Sequence, residues 1–230
     1  MPLQIFVEDK LVDAYEILAR KALGLPGSSS NRREVRAARI DPDELTSRNS
    51  LLDLTQRSFA AGYDTILFIL DQEGPRSPER AEKLAGFKRA FHELCDHLGS
   101  LKDGDPLRRV KVVRIICQRC LEGWLATDPV AIVEALSGAQ GSDYKPAPRN
   151  TENLFPEQAS ALIAQIGREL GNRLGKDHLK RLDPRSIKTR GKDIAQHVDP
   201  QRARKCNASL AYFFEMVDGH RSGCDHPCPE

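Results

Sequence analysis

Short apolar runs alternate with longer amphipathic segments through the first half of the chain. Most of the runs are rich in Ile, Leu and Val and too short for ordinary helices, which is typical of buried strands. They cover residues 3–7, 35–40, 65–70 and 110–117. The segments between them have apolar residues at helical spacing and predict helices over about residues 11–23, 42–61 and 78–98. Strands that alternate with helices predict an α/β fold with a mostly parallel sheet of about four strands.

The second half of the chain is predicted to be helical. A helix over residues 120–136 should be interrupted at Asp128, because a proline follows it. Further helical patterns cover residues 156–174, 177–182 and 199–217. The Gly- and Pro-rich residues 138–150 are the best candidate for a boundary between two parts of the chain. We therefore expect an α/β domain over residues 1–137, a helical extension packed on it over 138–217, and a flexible tail over 218–230.

Composition indicates a soluble, cytoplasmic protein. The chain is 40% hydrophobic and 30% charged, and no apolar run approaches the ~20 residues that span a bilayer, so no membrane partner is expected. Charged residues interrupt the N-terminus at once, unlike a signal peptide. Six scattered cysteines fit a reducing compartment. No Gly-rich phosphate loop of the Lys-Ser/Thr type is present, so the chain should not hydrolyse ATP by itself.

Positive charge is concentrated near the C-terminus. The net charge is +2, yet residues 173–205 hold eleven Lys or Arg against four Asp, a local charge of +7. Such a cluster can neutralise nucleic-acid phosphates, and we select Lys188, Arg190 and Lys192 as candidate contacts. Lys188→Ala or Lys192→Ala should weaken DNA binding and make its salt dependence shallower. An ordinary solvated helical surface is an equally consistent interpretation.

Carboxylates follow the predicted strands. Glu8 follows the first strand, Asp71 and Glu73 follow the third, and Glu122 lies just beyond the fourth. The carboxyl ends of parallel strands are where open α/β sheets bind ligands, and carboxylate oxygens suit Mg²⁺. Asp71 and Glu73 could share one ion, with Glu8 as a third ligand or as a general acid or base. The alternative is that these acids only cap the following helices.

Several motifs resemble those of TOPRIM domains. Residues 6–13 (FVEDKLVD) resemble the first TOPRIM motif, and residues 68–73 (FILDQE) resemble the Asp-x-Asp motif on the third strand. Asp9 stands where that family has glycine, and Glu73 where it has a second aspartate. Residues 120–128 (CLEGWLATD) are similar to the Glu-Ala-Trp-Leu-Leu-Ala-Asp signature of a little-characterised TOPRIM-like family associated with bacterial ATPases and anti-phage defence. Residues 187–192 and 209–214 resemble the C-terminal region of that family.

The resemblance implies a TOPRIM-like, Rossmann-like fold and metal-dependent cleavage of phosphodiester bonds. Asp71 and Glu73 would hold Mg²⁺ or Mn²⁺, Glu8 would be a ligand or proton shuttle, and Glu122 would serve a second metal. Lys188 would stabilise charge on the scissile phosphate. The partners implied are nucleic acid and a separate ATPase subunit, and a homo-oligomer stays open.

Two other functions stay open. A non-catalytic subunit could keep the fold and dock a partner. It would use either the acidic edge, formed by the carboxylates that follow the strands, or the basic segment over residues 173–205. A phosphatase could use Asp71 as a nucleophile, but Glu73 and the late position of this strand argue against it.

The cysteines, histidines and single tryptophan have simpler interpretations. His220, Cys224, His226 and Cys228 are zinc-ligand types, but their spacing favours an exposed tail over a zinc site. Cys117 and Cys120 have redox or metal spacing, yet their places at a strand end and a helix start favour buried packing. Trp124 is expected to anchor the core.

Overall fold

A parallel sheet organises the first half of the protein. The computed structural model describes residues 2–26, 34–72, 78–138 and 141–222, with side chains through residue 219. Four strands form one sheet in the order β2-β1-β3-β4, all parallel. They are β1 (Leu3–Val7), β2 (Val35–Arg39), β3 (Thr65–Asp71) and β4 (Lys111–Cys117). The predicted α/β class with a parallel sheet of four strands is confirmed.

The strand order creates a crevice between β1 and β3. Val7 of β1 lies opposite Ile69 of β3, and Asp71 lies opposite Cys117 of β4. From β1 the chain moves outward to β2 and then returns past β1 to β3, so successive connections leave in opposite directions. Ligands of open α/β sheets bind at such a switch point, outside the carboxyl ends of the strands. The crevice therefore lies just beyond Val7 and Ile69.

Helices cover both faces of the sheet. One face packs against the helix after β1 and the C-terminal helices, and the other against the helices between β2 and β4. All seven residues of β3 are buried, as its continuous apolar run predicts. The helices of the first half are α1 (Val12–Ala22), α2 (Pro42–Leu45), α3 (Arg48–Ala60), α4 (Pro78–Ser100), α5 (Leu121–Leu125) and α6 (Pro129–Ser137), with a 3-10 helix at Pro106–Arg109.

The C-terminal helices share the apolar core of the sheet. Ile163, Ile187 and Leu210 are fully buried in the same cluster as Ile5 and Leu67. The predicted division of the chain near residue 138 stays a prediction. These helices are α7 (Pro156–Leu174), α8 (Asp177–Lys180), a 3-10 helix at Pro184–Arg190, α9 (Gly191–His197), α10 (Pro200–Ala203) and α11 (Ala208–Ser222). None of the described helices is both long and apolar enough to cross a membrane.

Two segments that were each predicted as one helix, residues 42–61 and 199–217, are divided by residues that cap a new helix. The predicted helix over residues 42–61 ends at Leu45, because Ser47 starts a new helix by accepting a hydrogen bond from the Ser50 amide at 3.3 Å. Asn207 similarly caps α11, with its Oδ1 2.9 Å from the Leu210 amide. The break at Asp128 is as predicted, and its carboxylate caps α6 through the Ala131 amide.

Candidate functional site

Asp71 is a buried carboxylate at the switch point. It is 5% exposed, and its Oδ1 accepts a hydrogen bond from the Tyr15 hydroxyl of α1 at 2.9 Å. Its other oxygen, Oδ2, is buried and accepts no hydrogen bond from the residues that the structure describes. Burial raises the pKa of Asp71 well above its ordinary value, and the Asp9 and Glu8 carboxylates raise it further, whereas the Tyr15 hydroxyl and the nearby Cys117 thiol oppose this rise. An unsatisfied buried oxygen is rare in folded proteins and is consistent with a ligand position.

Asp9 is the neighbouring carboxylate that raises the pKa of Asp71 most. It lies two residues beyond Val7, as Asp71 lies two residues beyond Ile69, and Val7 and Ile69 are paired. Asp9 also accepts a hydrogen bond from the Leu11 amide at 2.9 Å, which fixes the turn before α1. In the motif resemblance, Asp9 is only a departure from the TOPRIM pattern. The alternation of side chains along a strand is the signal that places it beside Asp71.

Glu8 turns to the opposite face of the sheet from Asp71. Its carboxylate forms an ion pair with Lys83 of α4, whereas Asp71 contacts α1, on the other face. The Glu8 side chain is 11% exposed and the Lys83 side chain 31%. Lys83 was not predicted as part of the site, because the contact joins residues 75 positions apart. The only sequence feature that points to this contact is that Lys83 is a basic residue near the start of α4.

Glu122 lies on the same side of the edge as Asp71. It is buried in the first turn of α5, and the Lys188 ammonium is 3.7 Å from its Oε1. Cys120 is the N-cap of this helix, with its sulfur 3.3 Å from the Gly123 amide. Burial raises the pKa of Cys120, and the Glu122 and Asp71 carboxylates add to the rise. Glu122 and Asp71 are therefore both near Cys120.

The predicted basic residues have different surroundings. Lys188, whose side chain is 66% exposed, contacts the acidic edge through Glu122. Lys192 instead forms an ion pair with Asp13 of α1 at 3.0 Å. Arg190 is half-buried at the N-cap of α9. Of the two lysines, Lys188 therefore contacts the carboxyl edge, whereas Lys192 contacts α1.

Other predicted residues can be located only in part. Glu73 and the tail residues Cys224, His226 and Cys228 lie outside the described residues, as does the side chain of His220. Cys117, Cys120 and Trp124 are fully buried, which confirms their predicted packing role. The Trp124 indole donates a hydrogen bond to the Ser209 hydroxyl at 2.9 Å.

Two carboxylates at the carboxyl edge of the sheet, those of Asp71 and Asp9, are of the type that binds a hard divalent cation. Within residues 2–26, 34–72, 78–138 and 141–219, no group of three His, Cys, Asp or Glu side chains could hold a metal ion. Mg²⁺, however, usually keeps several waters and binds one or two carboxylates directly. Asp71 and Asp9 supply two carboxylates on one side of the crevice. The Asp71 Oδ2, which accepts no hydrogen bond from the described residues, is the oxygen that could bind a cation.

Comparisons with protein-family models, curated proteins and solved structures find no match to this chain. Function is therefore inferred from the fold and from the chemistry of the carboxyl edge. The class that these define is an open, parallel α/β protein with a buried, partly unsatisfied carboxylate at its switch point. Such a crevice is the expected ligand position in this architecture.

Proposed function

We propose that this protein is a TOPRIM-like nuclease that depends on Mg²⁺ or Mn²⁺. Its cytoplasmic location, nucleic-acid substrate and separate ATPase partner in anti-phage defence belong to the same proposal and rest on the motif resemblance. The observation that supports the activity most directly is the buried, unpartnered Oδ2 of Asp71 at the switch point. A hydrated cation that accepts this oxygen as a ligand would satisfy it.

The residues of the edge have distinct roles in this proposal. Asp71 and Asp9 hold the cation, with Glu73 as the further ligand that the motif resemblance implies. When bound, the cation supplies a Lewis acid that stabilises the charge developing on the phosphate. Tyr15 fixes the orientation of the Asp71 carboxylate through its hydrogen bond. Because Tyr15 is itself buried, Asp71 has little freedom to turn away from the crevice.

Proton transfer and charge stabilisation are assigned to residues around the pair. The motif resemblance implies that Glu8 is a proton shuttle, and in that role its carboxylate would turn from the ion pair with Lys83 towards the crevice. Lys188 reaches the edge beside Glu122 and supplies positive charge to the scissile phosphate.

Two observations favour the alternative of a non-catalytic binding subunit. Glu8 and Glu122, two of the predicted metal ligands, already have lysine partners in Lys83 and Lys188. The raised pKa of Asp71 also favours its neutral form when no cation is present. An edge of this kind could dock a basic segment of a partner without any chemistry.

The two functions are separated by replacing Asp71 and a matched aspartate. Asp64 precedes the other end of the same strand, so Asp64→Asn makes the same chemical change away from the crevice. We expect Asp71→Asn to abolish cleavage of labelled single- and double-stranded DNA or RNA and to weaken Mn²⁺ binding about tenfold or more, measured by calorimetry. Asp64→Asn should leave both unchanged.

Each outcome of this experiment has a defined meaning. Cleavage by Asp71→Asn at the wild-type rate would reject the nuclease. Nucleic-acid binding by the wild type without cleavage in Mg²⁺ or Mn²⁺ would support the binding subunit. Glu8→Gln tests the base separately, and should reduce cleavage while leaving Mn²⁺ binding nearly intact, because Glu8 faces away from Asp71.

A further inference from the structure

A cavity lies beside the acidic edge, between the start of α7 and the 3-10 helix at Pro184–Arg190. Its volume is about 380 Å³, within the range of small-molecule sites, and it opens to the surface. Lys188 is one of its lining residues, and the Lys188 ammonium is 3.7 Å from Glu122 Oε1. One lysine side chain therefore joins this cavity to the carboxyl edge.

The lining of the cavity combines flat apolar surfaces with a few polar groups. The rings of Pro156 and Pro184 supply apolar contact, and the exposed Arg185 supplies a planar guanidinium. Ser160 adds a hydroxyl, and Glu157 and Asp183 add two carboxylates. Nucleobases have a similar combination, with apolar faces that stack on planar groups and a polar edge with amino and carbonyl groups.

The placement of charge fits a nucleotide better than a purely apolar ligand. Lys188 lies between the cavity and the edge, where the phosphate attached to a bound base would lie. Arg185 stacks on bases and attracts phosphates, as guanidinium groups do at single-strand sites. A base in a duplex is paired and stacked, so it could enter the cavity only after unpairing, at a cost of a few kcal/mol.

We propose that this cavity receives an unpaired nucleobase of a single-stranded nucleic acid and so positions the adjoining phosphate at the acidic edge. The inference deepens the proposed nuclease function and rests on it for the reaction. The binding step itself needs no metal. Arg185 stacks on the base, Lys188 contacts the phosphate, and single strands are preferred over duplexes.

The test measures binding without cleavage. Fluorescence anisotropy in EDTA compares a labelled single-stranded oligonucleotide, the matching duplex and an abasic strand of equal length. Arg185→Ala should weaken single-strand binding about tenfold, the typical effect of losing one stacking contact. Arg181→Ala is the matched control, because it removes the same charge from an exposed neighbouring position that does not line the cavity. It should weaken binding about threefold at most.

The outcomes distinguish this proposal from the proposed function. Equal losses for Arg185→Ala and Arg181→Ala, tight binding of the abasic strand, or equal affinity for duplex and single strand would each overturn the cavity proposal. Single-strand preference without cleavage in Mg²⁺ or Mn²⁺ would support the cavity and reject the nuclease. Cleavage without a preference for single strands would support the nuclease and reject the cavity proposal. Thermal melting of both variants, expected within about 2 °C of wild type, checks that folding is unchanged.

Discussion

At the residue scale, the carboxyl edge depends on partners that lie far apart in the chain. Asp71 is oriented by Tyr15, 56 residues earlier, and Glu8 is paired with Lys83, 75 residues later. A buried carboxylate is costly unless hydrogen-bonded, so Tyr15 both stabilises Asp71 and selects which of its oxygens is left for a ligand. The same hydrogen bond therefore serves stability and the proposed site.

Replacement of Tyr15 by phenylalanine tests this hydrogen bond. The change leaves Asp71 Oδ1 without its donor, so the free energy of unfolding should fall by about 1–3 kcal/mol in urea denaturation. Tyr144→Phe is the control, because the Tyr144 hydroxyl bonds to Glu169 in a solvent-exposed contact. It should change stability by less than about 0.5 kcal/mol. Equal effects would show that Asp71 gains nothing specific from Tyr15.

The two predicted lysine contacts should separate in a nucleic-acid binding assay. Lys188→Ala should weaken binding across sequences and make the salt dependence shallower by about one unit of slope, because Lys188 is exposed beside the edge. Lys192 is held by Asp13, so Lys192→Ala should have a smaller effect. The measurement is the affinity for one labelled strand over a series of salt concentrations. A larger loss with Lys192→Ala would move the binding surface towards α1.

At the element scale, the strands were predictable and the helix breaks were less so. Continuous apolar runs predict β1 and β3 to within a residue, because burial on both faces leaves no polar position. The breaks before α3 and α11, and the short α9, depend on single caps or on packing that periodicity does not record. Topology predicted that Asp71 and Glu122 share an edge. The contribution of Lys83 could not be predicted, because it arises from packing between distant elements.

The packing of α8 on α7 depends on the absence of a side chain at Gly171. A Cβ at this position would lie 2.6 Å from the Lys180 amide nitrogen and 2.8 Å from the Leu179 Cβ, so the backbone would have to move. Gly171→Ala should therefore lower the free energy of unfolding by about 1–3 kcal/mol. Gly99→Ala, in α4 with no neighbouring atom within 4 Å, should be neutral or stabilise by up to about 1 kcal/mol. Urea denaturation of both variants checks the contrast.

At the scale of the whole molecule, Trp124 connects the α/β region to the C-terminal helices. Its ring lies 5.8 Å from Tyr15 of α1 and 5.1 Å from Phe213 of α11, measured between centroids. Asp128 adds a second connection, since its buried carboxylate accepts hydrogen bonds from the Asp199 amide and the Arg202 guanidinium. Both contacts join residues more than 70 positions apart in sequence. The two regions should therefore unfold together.

A chain that ends at residue 138 tests this coupling. It would lose α7, α9 and α11, and the apolar faces of α1, α5 and α6 that pack on them would meet water. We expect this fragment to bind a hydrophobic dye and to show no cooperative transition in urea. The full chain should instead give coincident transitions by tryptophan fluorescence and far-ultraviolet circular dichroism, because Trp124 reports on the contact between the regions. Cooperative unfolding of the fragment would show that the α/β region folds alone, and that the C-terminal helices are a separable extension.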